Sequence, residues 1–221
     1  MNLDNALIGL FWQGLGETLF MTFLSSLLAY LIGIPLGILL VVTDQNGIKP
    51  HRALNTVLGI GINLLRSVPF IILLISVLPL TKIIVRTTLG PRAVIPPLVI
   101  AAFPYIARMV ESSLKEVDAG VIEAAKSMGA SAPQIIFKVL LPESKPSLFI
   151  GAAISVTTIL GYSAMAGFVG GGGLGTIAIN YGYYRYNVQM MAIAVAILVI
   201  IVQLIQESGM RIAKALDKRI R

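Results

Sequence analysis

The chain has 221 residues, 57% of them hydrophobic and 12% charged, with a net charge of +7 and no Cys. Soluble domains carry about a quarter charged residues, so this chain has too few to cover a soluble surface, and its hydrophobicity excludes intrinsic disorder. The absence of Cys removes disulfide scaffolds, thiolate metal sites and cysteine nucleophiles, which leaves an integral membrane protein.

A spanning helix needs about 20 consecutive apolar residues. The N-terminal segment has no Lys or Arg before Glu17, so it lacks the basic region of a cleaved signal peptide and reads as the approach to an anchor. Residues 18–43 carry no charge and form the first expected span; Gly33, Pro35 and Gly37 are tolerable inside a membrane helix. Residues 53–81 form a second, long or kinked span interrupted only by Arg66. A third, over 90–112, centres on an uncharged stretch holding Pro96, Pro97 and Pro104. The uncharged run from Pro146 to Tyr184 is too long for one crossing; Gly170 to Gly173 divides it and leaves a fourth span over 146–168. The fifth is 186–207. The expected fold is an all-α polytopic membrane protein with five transmembrane helices.

With five crossings, twelve Lys and Arg residues fall on the side of the C-terminus and four on the side of the N-terminus, Arg66 being left out as intramembrane. The positive-inside rule then puts the N-terminus outside and the C-terminus inside. Spread along one membrane face and not interleaved with stacking aromatics, this charge argues against nucleic acid as a partner. The tail from Met210 to Arg221 repeats Ile212, Leu216 and Ile220 every four residues; it reads either as a solvated end or as a segment lying on anionic lipid.

The long polar connection between the third and fourth spans reads as two short helices over 118–142. Asp118 is a suitable N-cap for the first, which ends at Gly129, a residue free to adopt the left-handed conformation. Ser131 with Gln134 three residues later has capping-box spacing and starts the second, which is expected to stop before Pro142. A helix–Gly–helix elbow with an exposed apolar stripe needs a partner.

Glu123-Ala124-Ala125, then Gly129, then Val139-Leu140-Leu141-Pro142 resembles the coupling loop of bacterial ABC-importer permeases. Arg66-Ser67-Val68-Pro69-Phe70 resembles the Arg-x-x-Pro segment of amino-acid permeases, and the segments 105–111, 161–175 and 181–187 are most similar to the methionine importers of the class. The resemblance implies one permease domain over 1–221 in a bacterial plasma membrane, moving D- or L-methionine by alternating access. It implies a second copy of the chain, two cytoplasmic ATPase subunits that bind ATP and Mg, and an extracytoplasmic substrate-binding protein. Glu123, Ala124, Ala125, Gly129, Leu141 and Pro142 would couple to the ATPase. A permease for another amino acid is the first alternative. An ion-driven transporter is the second, and it would call for intramembrane carboxylates or inverted repeats.

Arg66 is the one charge well inside an apolar stretch, hence a functional candidate by default. It suits an amino-acid carboxylate, or else it satisfies helix-end carbonyls beside Pro69 and locks packing. Tyr162, Ser163 and Met165 offer a hydroxyl and soft apolar surface, for a pathway lining or for helix packing. The run Gly170 to Gly175 lacks the Lys-Ser/Thr of a phosphate loop and reads as a close-packing bend. Tyr181, Tyr183, Tyr184 and Tyr186 read as an interfacial belt. The lone His51 makes no metal site, Glu111, Glu116, Glu123 and Glu143 read as dispersed along the polar connection, and no catalytic constellation is identifiable. The chain is expected to be no enzyme and to bind no cofactor itself.

Overall fold

A computed structural model describes residues 3–217, in which every regular element is a helix and there is no strand. The elements in chain order are α1 (Leu3–Thr43), α2 (Arg52–Ser67), α3 (Phe70–Val85), α4 (Pro91–Lys115), α5 (Ala119–Ser127) and α6 (Ala132–Ile135). A π turn (Ile136–Leu140) leads into α7 (Leu141–Glu143) and α8 (Lys145–Met165). A 3-10 turn (Ala166–Val169), α9 (Gly173–Ile177), a second π turn (Ala178–Tyr183) and α10 (Val188–Leu216) complete the chain. The tail residues Lys218, Arg219, Ile220 and Arg221 lie outside the described residues.

Among the described residues, four helices are long and apolar enough to cross a bilayer, and α2 with α3 makes a fifth if that bent pair is one span. The bend is 105° and falls at Val68-Pro69. Pro69 has no N–H to continue α2 and biases Val68 away from helical geometry. Its carbonyl instead accepts from Ile72 N and Leu73 N, both at 3.0 Å, and so opens α3. The first helix begins far ahead of the uncharged stretch at 18–43. Gln13 and Glu17, one turn apart and hydrogen-bonded at 2.8 Å, keep the polar stretch helical while Leu10, Phe11, Leu15 and Leu19 pack on a core.

The chain divides into two compact units. One comprises Met1–Leu28, Val68–Ala102 and Val156–Gln206. Its core is Leu160, Leu174, Ile177, Met190 and Ile201. The glycine run serves this unit as a bend and a close approach. Gly170, Gly172 and Gly173 all have positive φ, at 74°, 85° and 72°, where side-chain-bearing residues are strained. A Cβ on Gly175 would collide with the Ala164 backbone, and one on Gly167 with the backbone of Gly175 and Thr176.

The other unit comprises Ala29–Ser67, Phe103–Ser155 and Glu207–Arg221. Leu40, Ile62 and Ala107 form its core, with Leu36 and Leu58 packed against them. Gly33 and Gly37, one turn apart on α1, let α4 approach closely. A Cβ on Gly33 would come within 2.6 Å of the Ile106 side chain, and one on Gly37 within 2.7 Å of Ala107 O. This is the small-xxx-small contact of membrane helices, where close packing replaces the absent hydrophobic drive. Tyr30 Oη and Ser155 Oγ share a hydrogen bond of 2.6 Å. Asn55 Nδ2 donates to Leu40 O at 2.7 Å and to Thr43 Oγ1 at 3.1 Å, fastening the α1–α2 turn.

Candidate functional site

The polar connection is built by local signals. Asp118 is the N-cap of α5, its Oδ1 accepting from Gly120 N at 2.7 Å. At the other end Gly129 takes φ 78°. Gly129 N donates to Lys126 O at 2.9 Å and Ala130 N to Ala125 O at 3.1 Å, the paired bonds of a Schellman stop. Ser131 N then donates to Gln134 Oε1 at 2.8 Å as α6 starts.

The expected end of the second helix before Pro142 is corrected: the chain stays helical through α7 and pauses only at Ser144. The π turn over Ile136–Leu140 explains it, since a wider turn makes room for a ring that has no N–H to donate.

Anchoring and exposure alternate along this segment. Ala125, Ile135 and Leu140 are buried, and Leu141 and Pro142 are half-buried. Glu123, Ala124 and Gly129 are exposed, and so are Val121, Met128 and Phe137, with Met128 at 81% and Phe137 at 66%. Large apolar side chains held out on capped helices, beside a carboxylate, make a surface shaped for a protein cleft.

Four charged residues brace the root of this segment, and their joint role is not evident in the sequence. Arg108 donates from Nη1 to Glu111 Oε2 at 2.7 Å and from Nη2 to Gly59 O at 3.0 Å. Lys115 Nζ reaches Glu111 Oε1 at 2.9 Å and Asp44 Oδ2 at 2.7 Å. The Lys115 ammonium holds the Asp44 carboxyl below its ordinary range, through the hydrogen bond first. Glu111, read from the sequence as one of the carboxylates dispersed along the polar connection, instead sits within α4, buried at 8% exposure and doubly paired. The one available signal is its spacing from Arg108 and Lys115 at i−3 and i+4 on α4.

The pathway candidates fall into two groups. In one unit, Arg66 is exposed and lies 6.0 Å over the Tyr105 ring; its guanidinium donates no hydrogen bond to any described residue. In the other, Tyr162 stacks on Phe70 at 4.4 Å and 6°, next to Pro69, the N-cap of α3. Ser163 is buried and its hydroxyl donates to Leu160 O at 2.7 Å, an intrahelical role. Met165 is exposed at 41%. Of the tyrosines, Tyr183, Tyr184 and Tyr186 are exposed, while Tyr181 lies under the Arg185 guanidinium at 4.6 Å.

Residues 33–221 match the family described as the binding-protein-dependent transport system inner membrane component. A probable D-methionine transport system permease protein of Vibrio cholerae is 45% identical over 203 residues, 92% of this chain and 90% of that protein. The methionine import system permease protein of Bacillus subtilis is 46% identical over 208 residues, 94% of each. A solved inward-facing methionine ABC transporter contains a chain 45% identical to this one, with a TM-score of 0.95 over 99% of this chain and 100% of that one.

Proposed function

Because the chain belongs to the family of binding-protein-dependent transport system inner membrane components, we propose that it is the membrane-spanning subunit of an ATP-driven importer carrying methionine into the cytoplasm. The observation that carries the reading is the exposure of Val121, Met128 and Phe137 on the same connecting segment as the exposed Glu123, in a chain so similar to methionine permeases. In this reading residues 1–221 form one permease domain, two copies enclose the pathway about a two-fold axis, and the basic excess puts the C-terminus in the cytoplasm. Two ATPase subunits hold ATP and Mg, and a substrate-binding protein delivers methionine from outside.

Glu123 and Ala124 enter the ATPase cleft, Ala125 roots α5 in the permease, Gly129 fixes the angle of the elbow, and Leu141 with Pro142 passes the motion to α8. Closure of the ATPase dimer on ATP pushes this wedge, and the spans rock from inward-open to outward-open. Within the unit that holds Pro69, Tyr162 and Met165 are candidates for lining the route while Ser163 serves packing; Arg66 is a separate candidate in the other unit. Hydrolysis, on the ATPase, resets the cycle.

The test is uptake of labelled methionine by vesicles holding this chain, its ATPase and its binding protein, with other amino acids as competitors. Saturable, ATP-dependent methionine uptake supports the proposal; preference for a polar amino acid transfers the substrate to another member of the class. In parallel, cysteines at Glu123 and Met128, in a chain with none of its own, should cross-link to the ATPase. Uptake that follows an ion gradient without ATP would overturn the class.

A further inference from the structure

Two grooves in the unit built on Leu160 and Leu174 run into one another. The first, about 480 Å³, has Glu17 of α1 and Arg92 of α4 in its walls. The second, about 510 Å³, is an apolar trough between α1, α3 and α4. Phe20 and Arg92 line both, so a charged mouth opens onto a hydrocarbon-lined slot. Phe20, Leu24 and Leu28 recur one turn apart along α1, which gives the slot a length of about 12 Å.

The charge pattern puts the mouth at headgroup depth. Between Glu17 and Asp44 the chain carries 26 uncharged residues, or about 39 Å of helix, enough to cross the hydrocarbon layer and leave both ends in the polar region. Arg92 is exposed and makes no ion pair or hydrogen bond with the described residues. An uncompensated guanidinium beside an apolar trough calls for an anion that arrives with an apolar tail. Glu17 supplies the complementary feature. Its Oε1 accepts from Gln13 and its Oε2 from Gly173 N, and each carboxylate oxygen keeps a further lone pair for an outside donor.

We propose that this groove is a binding site for one phospholipid of the surrounding bilayer, of the class whose head carries both a phosphate and a primary ammonium. Arg92 takes the phosphate, Glu17 accepts from the ammonium, and one acyl chain lies along Phe20, Leu24 and Leu28 against Ile95 and Val99. The tail gains little over its place among other lipid tails, which are as apolar as the trough. Selection therefore falls to the two charge-assisted contacts at the mouth. A phosphoglycerol head would leave Glu17 facing an anion without the ammonium. The site is independent of what the chain transports.

The permease purified with its ATPase subunits, exchanged into nanodiscs with equal amounts of phosphatidylethanolamine and phosphatidylglycerol, supplies the test. Lipid retained after washing is read by native mass spectrometry. The complex is expected to keep the ethanolamine lipid in excess by about fivefold or more. Arg92→Gln should abolish retention of either lipid. Glu17→Gln, which keeps an acceptor for Gly173 N, should bring the ratio to near unity with binding preserved. Val99→Trp, filling the trough without touching the mouth, should displace both. No preference in the unaltered complex, or variants that retain lipid as it does, overturns the proposal. So does a disulfide joining two copies through Leu28→Cys, which would make this face a contact with a second copy.

Discussion

Two short helices of this chain are stopped and started in opposite ways. The nine residues of α5 carry their own punctuation: Asp118 caps one end and the Gly129 elbow closes the other, every partner lying within five residues. The five residues of α9 carry none. Its N-cap is Gly172, which has no side chain to offer, and its first two N–H groups are taken by Glu17 Oε2 at 2.7 Å and Thr18 Oγ1 at 2.9 Å, each 156 residues away. A helix with local caps holds its shape while it moves against a partner, whereas a helix capped from another span exists only while the two stay packed. The first suits a segment that transmits force, the second a fixed joint.

A fixed joint at α9 should not tolerate change around it. Gly175→Val should have the largest effect, because the new side chain meets the Ala164 backbone and backbone cannot rotate away. Overpacking of this kind costs about 1–3 kcal/mol, or more where nothing yields, so we expect little assembled protein on size-exclusion chromatography. A monodisperse peak at the normal yield would show that the joint is soft. Thr18→Val comes next. It leaves Leu174 N, buried with its residue at 0% exposure, without an acceptor, at about 1–3 kcal/mol, read as a lowered midpoint of thermal unfolding in detergent.

This contrast also marks what could be read from the chain. The α5 elbow was legible to the residue because a capping Asp, a left-handed Gly and a Ser-x-x-Gln box act over one turn. The five apolar stretches were legible for the same kind of reason, each being a run of composition. The start of α1 at Leu3 was not, since its early turns are held by packing against distant residues such as Ile177, whose side chain lies where a Cβ of Gly14 would be. The caps of α9 were illegible because nothing near Gly172 names Glu17 or Thr18. Gly33 and Gly37 are an intermediate case: the sequence admits both to a membrane span, and only the fold gives their role, a close approach to α4. Pro142 misleads, because a π turn is not written in any single residue type.

On the α5 side, Asp118→Ala and Gly129→Ala each weaken one of the local stops. Each should cost about 1 kcal/mol, the first through a lost cap, the second through a Cβ at φ 78°. Neither should prevent assembly. Their signature should instead be functional, a fall in methionine taken up per ATP hydrolysed, because the elbow sets the angle at which Glu123 and Met128 are presented. A variant with lowered unfolding midpoint and an unchanged ratio would make the elbow a matter of stability alone.

The smallest effect tests how local the α5 region is. Its root at Lys115 is tied to Asp44, 71 residues away, so one long-range contact does reach it. Bonding to the Lys115 ammonium lowers the Asp44 carboxyl below its ordinary value of 3.8. The stabilisation it brings is therefore complete above that value and is lost as the pH falls through the lower, folded one. Lys115 is 46% exposed and Asp44 29%, so solvent screening holds the contribution below about 1 kcal/mol. Asp44→Asn should accordingly lower the unfolding midpoint by about a degree or two at neutral pH, and the gap from the unaltered protein should begin to narrow below 3.8 and close as the pH falls through the lower, folded value. A gap that persists in acid would assign the loss to the shape of the α1–α2 turn, and the charge pair would then be incidental to how the elbow is held.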